Sequence, residues 1–381
     1  MIDLDALIDK TFLAPFRGKK HGNIGVELEF PLINLKKAPV DEKIAKGAFG
    51  YFLEDGFEVE IEENGEIFFI SNKDGDCLSF DNSYNNFEFS MNYGNDLEAI
   101  EKRFYALHEK AQGYFNKNGH TLVGLGTNPN KKYITQSHVN FSTYNMVDEY
   151  LHRFGKSSPY PDFPAYLSSA QTHLDVPIEF LPRAYTLFSK LDFVRGLLFS
   201  NSPDFEGAGY LCYRDFLWEQ SAFSLCPNIT GKVDGVFETE KDIIEYIAQK
   251  GIFNRIRNGK YEVFEPVPMR KYFAREDALE EDINCYLSFK NVEITRRGTL
   301  EIRSDCAQPF EKAFAPAKFN LGILNNMEKA EKRLERFFEE TGINEPNSSL
   351  REKAVRGEMS ADERQVNELI SDMMKISENV I

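Results

Sequence analysis

The chain has 381 residues, a hydrophobic fraction of 42% that includes 33 Phe, and a formal net charge of −16. This apolar content excludes general disorder, and a chain of this length can bury a large core in one domain or in two closely packed ones. The negative charge argues against broad binding to nucleic acid or to an anionic membrane, because both require a positive surface. Small molecules are therefore the predicted partners, and one local basic pocket for a nucleotide is compatible with this charge.

The N-terminus and the cysteines favour a cytoplasmic location. The first five residues are acidic and no apolar run follows them, so we expect no signal peptide. No stretch approaches the length of a transmembrane helix. The five Cys are scattered and lack a C-x-x-C motif, which argues against a disulfide framework or a structural zinc site.

The first quarter of the chain is predicted to consist mainly of strands. A short helix and a basic turn lie within residues 1–20, and a strand follows at 24–32. An Asn64-Gly65 turn joins two alternating segments into a hairpin at 55–71. Two further strands are expected at 77–80 and 86–90.

Helices and strands then alternate. The clearest helix is amphipathic and covers 95–118, with Asn95-Asp96 as its cap. A long polar loop at 126–165, with a short helix near 145–154, is a candidate functional segment. The remaining elements are strands at 121–124, 170–176, 261–264, 292–295 and 300–303, helices at 178–190, 192–199, 240–257, 310–341 and 361–376, and a polar linker around 344–349. This order predicts an α+β fold with a mainly antiparallel sheet and helices on one face.

Charged residues alternate with apolar ones in two strands at opposite ends of the chain. Alternate side chains of a strand point to opposite faces, so Glu27 and Glu29 share one face. Glu301 and Arg303 repeat the pattern between Leu300 and Ile302. Such strands hold the core on one side and present carboxylates on the other.

Two more strands add polar side chains of the same kind. Glu88 lies in the strand at 86–90, and Gln171, His173 and Asp175 share one face of the strand at 170–176. Carboxylates with one imidazole and no thiolate suit Mg²⁺ or Mn²⁺, and Mg²⁺ sites commonly share phosphate oxygens with a nucleotide. For any single strand, the simpler explanation of its charged residues is that they lie on the solvent-exposed face of a half-buried sheet. The same pattern of polar residues recurs in several strands, and this recurrence favours a metal site.

The sequence has no Walker A motif and no G-x-G-x-x-G followed by a helix. Arg303 is the strongest candidate for a phosphate contact, because it shares a strand face with Glu301. Arg214 is a second candidate. Arg296 and Arg297 are explained equally well as a solvated hairpin turn.

Five segments, in order, together resemble the glutamate–cysteine ligase family, in particular the branch of plant-type enzymes and bacterial carboxylate–amine ligases. The resemblance spans about residues 20–330, and its most specific part is the block at 198–218. The matching segments are 24–29, 87–90, 170–175, 198–218 and 298–303.

The resemblance implies a glutamine synthetase-like fold, in which a curved, mainly antiparallel sheet forms a funnel with helices packed outside. It implies ATP and Mg²⁺, with Mn²⁺ as the alternative metal. The implied reaction converts the γ-carboxylate of glutamate into an acyl phosphate, which an amine then attacks. Residues 1–335 would form the catalytic domain and residues 336–381 a C-terminal helical extension packed on it.

The resemblance also implies roles for particular residues. Arg303 would contact the transferring phosphate and act in catalysis with Glu301, while Arg214 would meet the donor carboxylate or a phosphate. Gln171 is expected to contact substrate, and Trp218 either lines the pocket or is a core Trp. The implied metal ligands are Glu27, Glu29, Glu88, His173 and Glu301.

One segment departs from the family pattern. Many relatives carry an Arg-Tyr pair in the loop before the Gln-x-His strand, whereas this chain has Ser142-Thr143-Tyr144-Asn145. The acceptor amine is therefore open, with cysteine as the first choice and γ-glutamylcysteine as the product. The alternatives are the same chemistry on another acid or amine, and a catalytically silent relative that only binds ligands. A monomer and a homodimer are both compatible with the sequence.

Overall fold

The computed structural model describes residues 2–134, 138–155, 162–204, 207 and 209–378. Its strands are β1 (Ile24–Asn34), β2 (Glu58–Glu63), β3 (Glu66–Ser71), β4 (Cys77–Phe80), β5 (Asn86–Gly94), β6 (His120–Leu122), β7 (Ala170–Leu174), β8 (Thr230–Gly231), β9 (Gly251–Arg257), β10 (Lys260–Pro268), β11 (Phe289–Lys290), β12 (Val292–Ile294) and β13 (Leu300–Ile302). Its α-helices are α1 (Leu4–Ile8), α2 (Glu42–Leu53), α3 (Leu97–Lys117), α4 (Ser142–Phe154), α5 (Leu181–Lys190), α6 (Asp192–Phe199), α7 (Tyr213–Gln220), α8 (Glu240–Ala248), α9 (Met269–Tyr272), α10 (Ala315–Asn325), α11 (Met327–Thr341), α12 (Asn347–Arg356) and α13 (Glu363–Glu378).

One large sheet organises the molecule. Its strand order is β12-β13-β7-β1-β5-β4-β3-β2, and β6 pairs with the C-terminal part of β1. Every pairing within this sheet is antiparallel, and the sheet is open rather than closed into a barrel. The predicted α+β class with a mainly antiparallel sheet is therefore confirmed.

The two faces of the central strand β1 have opposite characters. Val26, Leu28 and Phe30 are each only 1% exposed and belong to the main hydrophobic core. The ring of Phe30 lies 6.0 Å from that of Phe104 on α3, measured between centroids. Helices therefore cover the apolar face, and the carboxylates of β1 are left on the other face.

The amphipathic helix predicted at 95–118 is confirmed as α3. The Asp96 side chain caps it by accepting a hydrogen bond from the Ala99 amide at 2.9 Å. Among the described residues, no helix combines the length and the apolar character needed to cross a membrane.

The predicted helix at 240–257 is wrong in its second half. Helix α8 ends at Ala248, and the chain then forms the hairpin β9–β10. Asn258 and Gly259 make its turn with φ of 52° and 72°, values that an Asn-Gly pair adopts readily. A side chain on Gly251 would also overlap the sulfur of Cys226, so β9 begins where the backbone packs closely.

The tail differs from the prediction at two places. The helix expected at 310–341 is divided at Asn326 into α10 and α11. The linker expected around 344–349 contains the start of α12, whose Arg351 is buried against α7. Helix α11 continues through residue 335, and the proposed domain boundary there stays a prediction.

Two further differences lie in the first half of the chain. Helix α2 was not predicted, although Ala45, Ala48, Phe49 and Phe52 form its buried face. The helix expected near 145–154 begins earlier, at Ser142. Parts of the loop expected at 126–165, namely 135–137 and 156–161, lie outside the described residues.

Candidate active site

Three strands bring two carboxylates and an imidazole together on the polar face of the sheet. Glu27 comes from β1, His173 from β7 and Glu301 from β13, and Glu301 lies directly opposite His173 in the register. Opposite residues of antiparallel strands share a face. His173 Nε2 is 3.2 Å from Glu27 Oε1 and 3.7 Å from Glu301 Oε1. We call these three residues the triad.

The donor set of the triad fits a hard divalent cation. One ligand atom from each residue lies within 4.8 Å of the others. Thr299 Oγ1 is 3.2 Å from His173 Nδ1 and so fixes the orientation of the ring. Two carboxylates with one imidazole suit Mg²⁺ or Mn²⁺, as expected from the sequence.

The side chains of the triad shift one another's pKa values. Burial alone would raise the pKa of Glu27, but His173 and Arg297 lower it to about 2. Burial alone would lower the pKa of His173, but Glu27 and Glu301 raise it. In the protein alone, the imidazole and the two carboxylates therefore stabilise one another's charged forms.

Glu29 lies next along β1 but is held by protein groups. It accepts hydrogen bonds from the Ser169 amide at 2.8 Å, from Gln171 Nε2 at 2.6 Å and from Asn86 Nδ2 at 3.4 Å. Burial and the nearby Asp81 raise its pKa to about 7, although Arg214 acts in the opposite direction. Its assignment as a metal ligand stays a prediction.

Glu88 lies directly opposite Glu29 in the pairing of β1 with β5. Its carboxylate accepts a hydrogen bond from Ser90 Oγ. Burial, Glu27 and Asp81 raise its pKa well above the ordinary value. Glu88 therefore lies on the same polar face as the triad but is not one of the three residues whose ligand atoms lie close together. Its assignment as a metal ligand also stays a prediction.

Two cavities lie along this polar face. The outer cavity has a volume of about 530 Å³, and Glu27, Glu88, His173 and Arg297 are in its wall. The inner cavity has a volume of about 110 Å³, and its polar wall contains Glu29, Asp81, Gln171, Arg214 and Arg303. Along the polar face, Glu27 and His173 line the outer cavity, whereas Glu29 and Gln171, two residues away on the same strands, line the inner cavity.

Two arginines, Arg214 and Arg303, line the inner cavity, and their predicted contacts with phosphate and carboxylate stay predictions. Arg303 forms an ion pair with Glu301. Arg214 lies in the first turn of α7, and its amide donates to Ser202 Oγ at 3.0 Å. The Nε of Arg214 is buried and has no hydrogen-bond partner within the described part of the chain. An anionic ligand in this cavity would satisfy it.

Trp218 is half-buried among aromatic rings, and its predicted contact with substrate stays a prediction. Its ring packs against Phe163 and Phe289 at centroid distances of 4.9 and 5.1 Å. It also lines the inner cavity together with Phe223. The indole is thus both part of an aromatic cluster and a wall of the site.

The outer cavity contains one residue that the sequence left undecided. Gly298 has a φ of 75°, and its neighbour Arg297 has a side chain that is 79% exposed, as a hairpin turn requires. Arg297 Nη1 nevertheless lies 3.5 Å from Glu27 Oε1. The turn therefore presents a cation at the mouth of the site.

Sequence reasoning missed Asp81 and Tyr144. Asp81 follows the end of β4, and the Tyr144 hydroxyl on α4 donates a hydrogen bond to its carboxylate at 2.9 Å. Both line the inner cavity. A signal for Asp81 was its position just after the strand that pairs with the Glu88 strand, since strand ends often carry functional side chains.

Comparison with known proteins adds a family assignment. The sequence profile of "Glutamate-cysteine ligase family 2(GCS2)" matches residues 23–353. A search among curated proteins found no match.

Three solved structures illustrate what the chain is similar to. A bifunctional glutathione synthetase from Pasteurella multocida is 10% identical with a TM-score of 0.47, covering 98% of this chain and 49% of its own. This chain thus spans about half the length of that protein. A novel glutamine synthase homolog is 11% identical with a TM-score of 0.37, covering 98% of this chain and 68% of its own. A glutamate–cysteine ligase from Francisella tularensis, in complex with AMP, is 10% identical with a TM-score of 0.36, covering 94% of each chain.

The profile match covers most of the chain and includes every strand of the site, from β1 with Glu27 to β13 with Glu301. It extends beyond the span of about 20–330 that the motifs indicated and reaches into α12. The chain belongs to glutamate–cysteine ligase family 2.

Proposed function

We propose that this protein is an ATP-dependent ligase that activates the γ-carboxylate of glutamate as an acyl phosphate and joins it to an amine. Cysteine is the first-choice amine, and γ-glutamylcysteine would then be the product. The observation that carries the proposal is the triad itself, since Glu27 and His173 line the outer cavity and Glu301 forms an ion pair with Arg303, which lines the inner cavity.

In this proposal, ATP occupies the outer cavity with its phosphates towards the triad. Glu27, His173 and Glu301 would hold Mg²⁺, with Glu29 and Glu88 as the further predicted ligands. The metal would neutralise charge on ATP and on the transferring phosphoryl group. Arg297, at the mouth, adds a positive charge on the side where the phosphates enter.

The donor acid occupies the inner cavity. Arg214, whose Nε has no hydrogen-bond partner among the described residues, would bind a carboxylate of glutamate through its guanidinium. An oxygen of the γ-carboxylate attacks the γ-phosphorus of ATP, and ADP leaves. Arg303 faces this junction and stabilises the negative charge that develops on the phosphoryl oxygens.

The amine then attacks the acyl carbon. The bond from that carbon to the phosphate oxygen breaks, inorganic phosphate leaves, and the nitrogen loses a proton to give the amide. Positioning and charge stabilisation supply most of the catalysis in such phosphoryl transfers. The inner cavity therefore has to receive both the acid and the amine.

A second candidate is the same chemistry with a different acid or amine. The observation that favours it is the segment 142–145, where the pair Thr143-Tyr144 stands without the Arg that many relatives carry in this loop. Thr143 Oγ1 lies 3.1 Å from the Tyr261 hydroxyl on β10, and only Tyr144 of this pair lines the inner cavity. This segment therefore contributes a tyrosine and no arginine to the wall of the inner cavity, which changes the acids and amines that the cavity can recognise.

Phosphate release from ATP, Mg²⁺, glutamate and a panel of amines tests both candidates. Release with cysteine alone supports the first candidate, and release with another amine or acid supports the second. The variant Glu301→Gln should lose about 100-fold or more in turnover, because it removes one metal ligand and the partner of Arg303. Wild-type activity in this variant would refute the role of Glu301.

Binding of Mg²⁺ and a non-hydrolysable ATP analogue, followed by calorimetry, separates these candidates from a silent relative. A silent protein that has lost the site shows no nucleotide binding. A cytoplasmic location is part of the proposal, and sedimentation would decide between a monomer and a homodimer.

A further inference from the structure

A third cavity shares a wall with the inner cavity, and the reaction proposed above does not use it. Its volume is about 300 Å³, and Trp218 lines both spaces. Helix α7 supplies a different charged residue to each, with Arg214 in the wall of the inner cavity and Glu219 in that of the third. The third cavity therefore has its own chemistry, although it lies against the same helix.

An ion pair is the main charged feature of the third cavity. Glu219 pairs with Lys232, whose side chain is only 10% exposed. Burial alone would lower the pKa of Lys232, but Asp215 and Glu219 raise it, so the ammonium stays charged. Asp215 also lines the cavity, but its carboxylate is bound by Arg351 of α12. Glu219 and Lys232 are thus the charges best placed to meet a ligand.

Polar groups in this wall have hydrogen-bonding capacity left. Within the described part of the chain, the Lys232 ammonium donates one hydrogen bond, to Glu219, although an ammonium has three donors. The Glu219 carboxylate also accepts from the Tyr210 hydroxyl at 3.1 Å, which leaves it further lone pairs. Thr230 Oγ1 is buried and has no hydrogen-bond partner among the described residues. Because buried polar atoms are nearly always hydrogen-bonded, this arrangement indicates a polar ligand.

The charge of that ligand follows from the ion pair. A ligand with a single charge would separate Glu219 from Lys232 and leave the other member poorly compensated, which is costly for a side chain as buried as that of Lys232. A zwitterion brings both charges, so each member of the pair exchanges one charged partner for another. The ammonium and carboxylate of an α-amino acid provide these two charges on one small molecule.

The rest of the lining and the volume restrict the kind of amino acid. Asn291 Nδ2 donates a hydrogen bond to Asp192 at 2.7 Å, which leaves its oxygen for a ligand. Asn228 Oδ1 accepts one from the Tyr246 hydroxyl at 3.4 Å, which leaves its nitrogen. These two amides and the Thr230 hydroxyl suit a side chain that forms hydrogen bonds. A volume of about 300 Å³ is at the lower end for small-molecule sites, so the amino acid is small.

We propose that the third cavity binds a small polar α-amino acid, with its ammonium on Glu219 and its carboxylate on Lys232. The site lies outside both cavities of the ligase reaction and requires neither ATP nor Mg²⁺. It goes beyond the proposed function, and its test does not depend on that function.

Trp218 is the single Trp of the chain, so its fluorescence reports on ligands against the wall that it shares. Titration with L-serine, L-threonine and L-asparagine, without ATP or Mg²⁺ and with calorimetry in parallel, measures binding. We expect L-serine to bind, and N-acetyl-L-serine and L-serinamide to bind about 10- to 100-fold more weakly, because each lacks one of the two charges. This comparison uses the unmodified protein, so it decides the matter even where a variant does not fold.

Two variants connect each charge of the ligand to one residue. Glu219→Gln should weaken L-serine binding about 10- to 100-fold without weakening N-acetyl-L-serine, because that analogue has no ammonium for Glu219 to bind. Lys232→Met should weaken L-serine in the same way without weakening L-serinamide, which has no carboxylate. Glu328→Gln is the matched control, since the Glu328 side chain is 71% exposed and also pairs with a lysine, and it should bind L-serine as wild type does.

Each of the other outcomes overturns the proposal. Absence of binding by all three amino acids in both measurements would show that the cavity is not such a site. Equal affinity for L-serine and its two analogues would show that a zwitterion is not recognised. If Arg214→Gln abolishes L-serine binding that Glu219→Gln and Lys232→Met retain, the amino acid occupies the inner cavity instead.

Discussion

Arg351 on α12 donates two hydrogen bonds to Asp215 on α7, from Nε at 2.9 Å and from Nη2 at 3.1 Å. Both side chains are buried, and the partnership lowers the pKa of Asp215 to about 2 even though burial alone would raise it. Asp215 is the residue after Arg214. This ion pair therefore ties the C-terminal helices to the turn that positions a predicted substrate-binding residue.

Replacing Arg351 with Ala should cost about 3–5 kcal/mol in the free energy of unfolding, because the buried Asp215 loses the guanidinium that donates two hydrogen bonds to it. Urea denaturation measures this loss. Arg364→Ala is the matched control, since the Arg364 side chain is 81% exposed, and it should change stability by less than about 0.5 kcal/mol. Equal stability of the two variants would contradict a structural role for the pair.

Two helical glycines test how α13 packs on the rest of the protein. A methyl group on Gly322 of α10 would overlap the carbonyl of Ser377 on α13, whereas one on Gly113 of α3 would enter open space. Gly322→Ala should destabilise the fold by about 1–3 kcal/mol through overpacking. Gly113→Ala should stabilise it by about 0.5–1 kcal/mol, because Ala is the better helix former. Thermal unfolding of both variants checks the prediction, and a neutral Gly322→Ala would mean that α13 does not pack there.

His108 predicts a pH dependence of stability. Its ring is surrounded by those of Phe30, Phe104 and Phe310, with centroids at 6.0, 5.6 and 4.2 Å, and burial lowers its pKa to about 4. The unfolded imidazole takes up a proton first as the pH falls, so stability present above about pH 6.5 is lost towards pH 4.

The variant His108→Phe removes the contribution of His108 to the pH dependence of stability. Between pH 7 and pH 5, its unfolding free energy should fall by about 1–2 kcal/mol less than that of wild type. The exposed His21→Phe serves as the control and should follow wild type. Identical pH profiles for His108→Phe and wild type would show that the imidazole is not held neutral in the folded protein.

Arg214 should matter for the donor acid more than for the nucleotide. Because its guanidinium faces the inner cavity, Arg214→Gln is expected to raise the KM for glutamate about 10- to 100-fold, with a small effect on the KM for ATP. Arg214→Lys should restore only part of the affinity, since an ammonium cannot bind a carboxylate through two parallel hydrogen bonds. An unchanged KM for glutamate with a raised KM for ATP would assign Arg214 to a phosphate instead.

Local alternation was sufficient to predict which side chains share a strand face. Glu27 with Glu29 and Glu301 with Arg303 were found in this way, and the apolar residues between them are buried as expected. The meeting of Glu27, His173 and Glu301 depends on the pairing of β1, β7 and β13, which are far apart in the chain. No local pattern encodes that register. The candidate residues could therefore be predicted from the sequence, but which three of them lie together could not.

Asp81 and Tyr144 show the limit of such reasoning. Neither belongs to an alternating strand, and their contact joins segments 63 residues apart. Strand β9 was missed for another reason, since its isoleucines fit a helical period as well as a strand, whereas the strand predicted at 261–264 lies within β10. There the turn at Asn258-Gly259 was the better evidence.

The central claim is that the protein transfers phosphate from ATP to a carboxylate of the donor acid. Glutamate labelled with heavy oxygen in its γ-carboxylate tests this most directly, in a reaction with ATP, Mg²⁺ and an amine. Attack by the carboxylate on ATP predicts that the released phosphate contains one heavy oxygen, because the acyl carbon–oxygen bond breaks when the amine attacks. Phosphate released without the label would contradict the account.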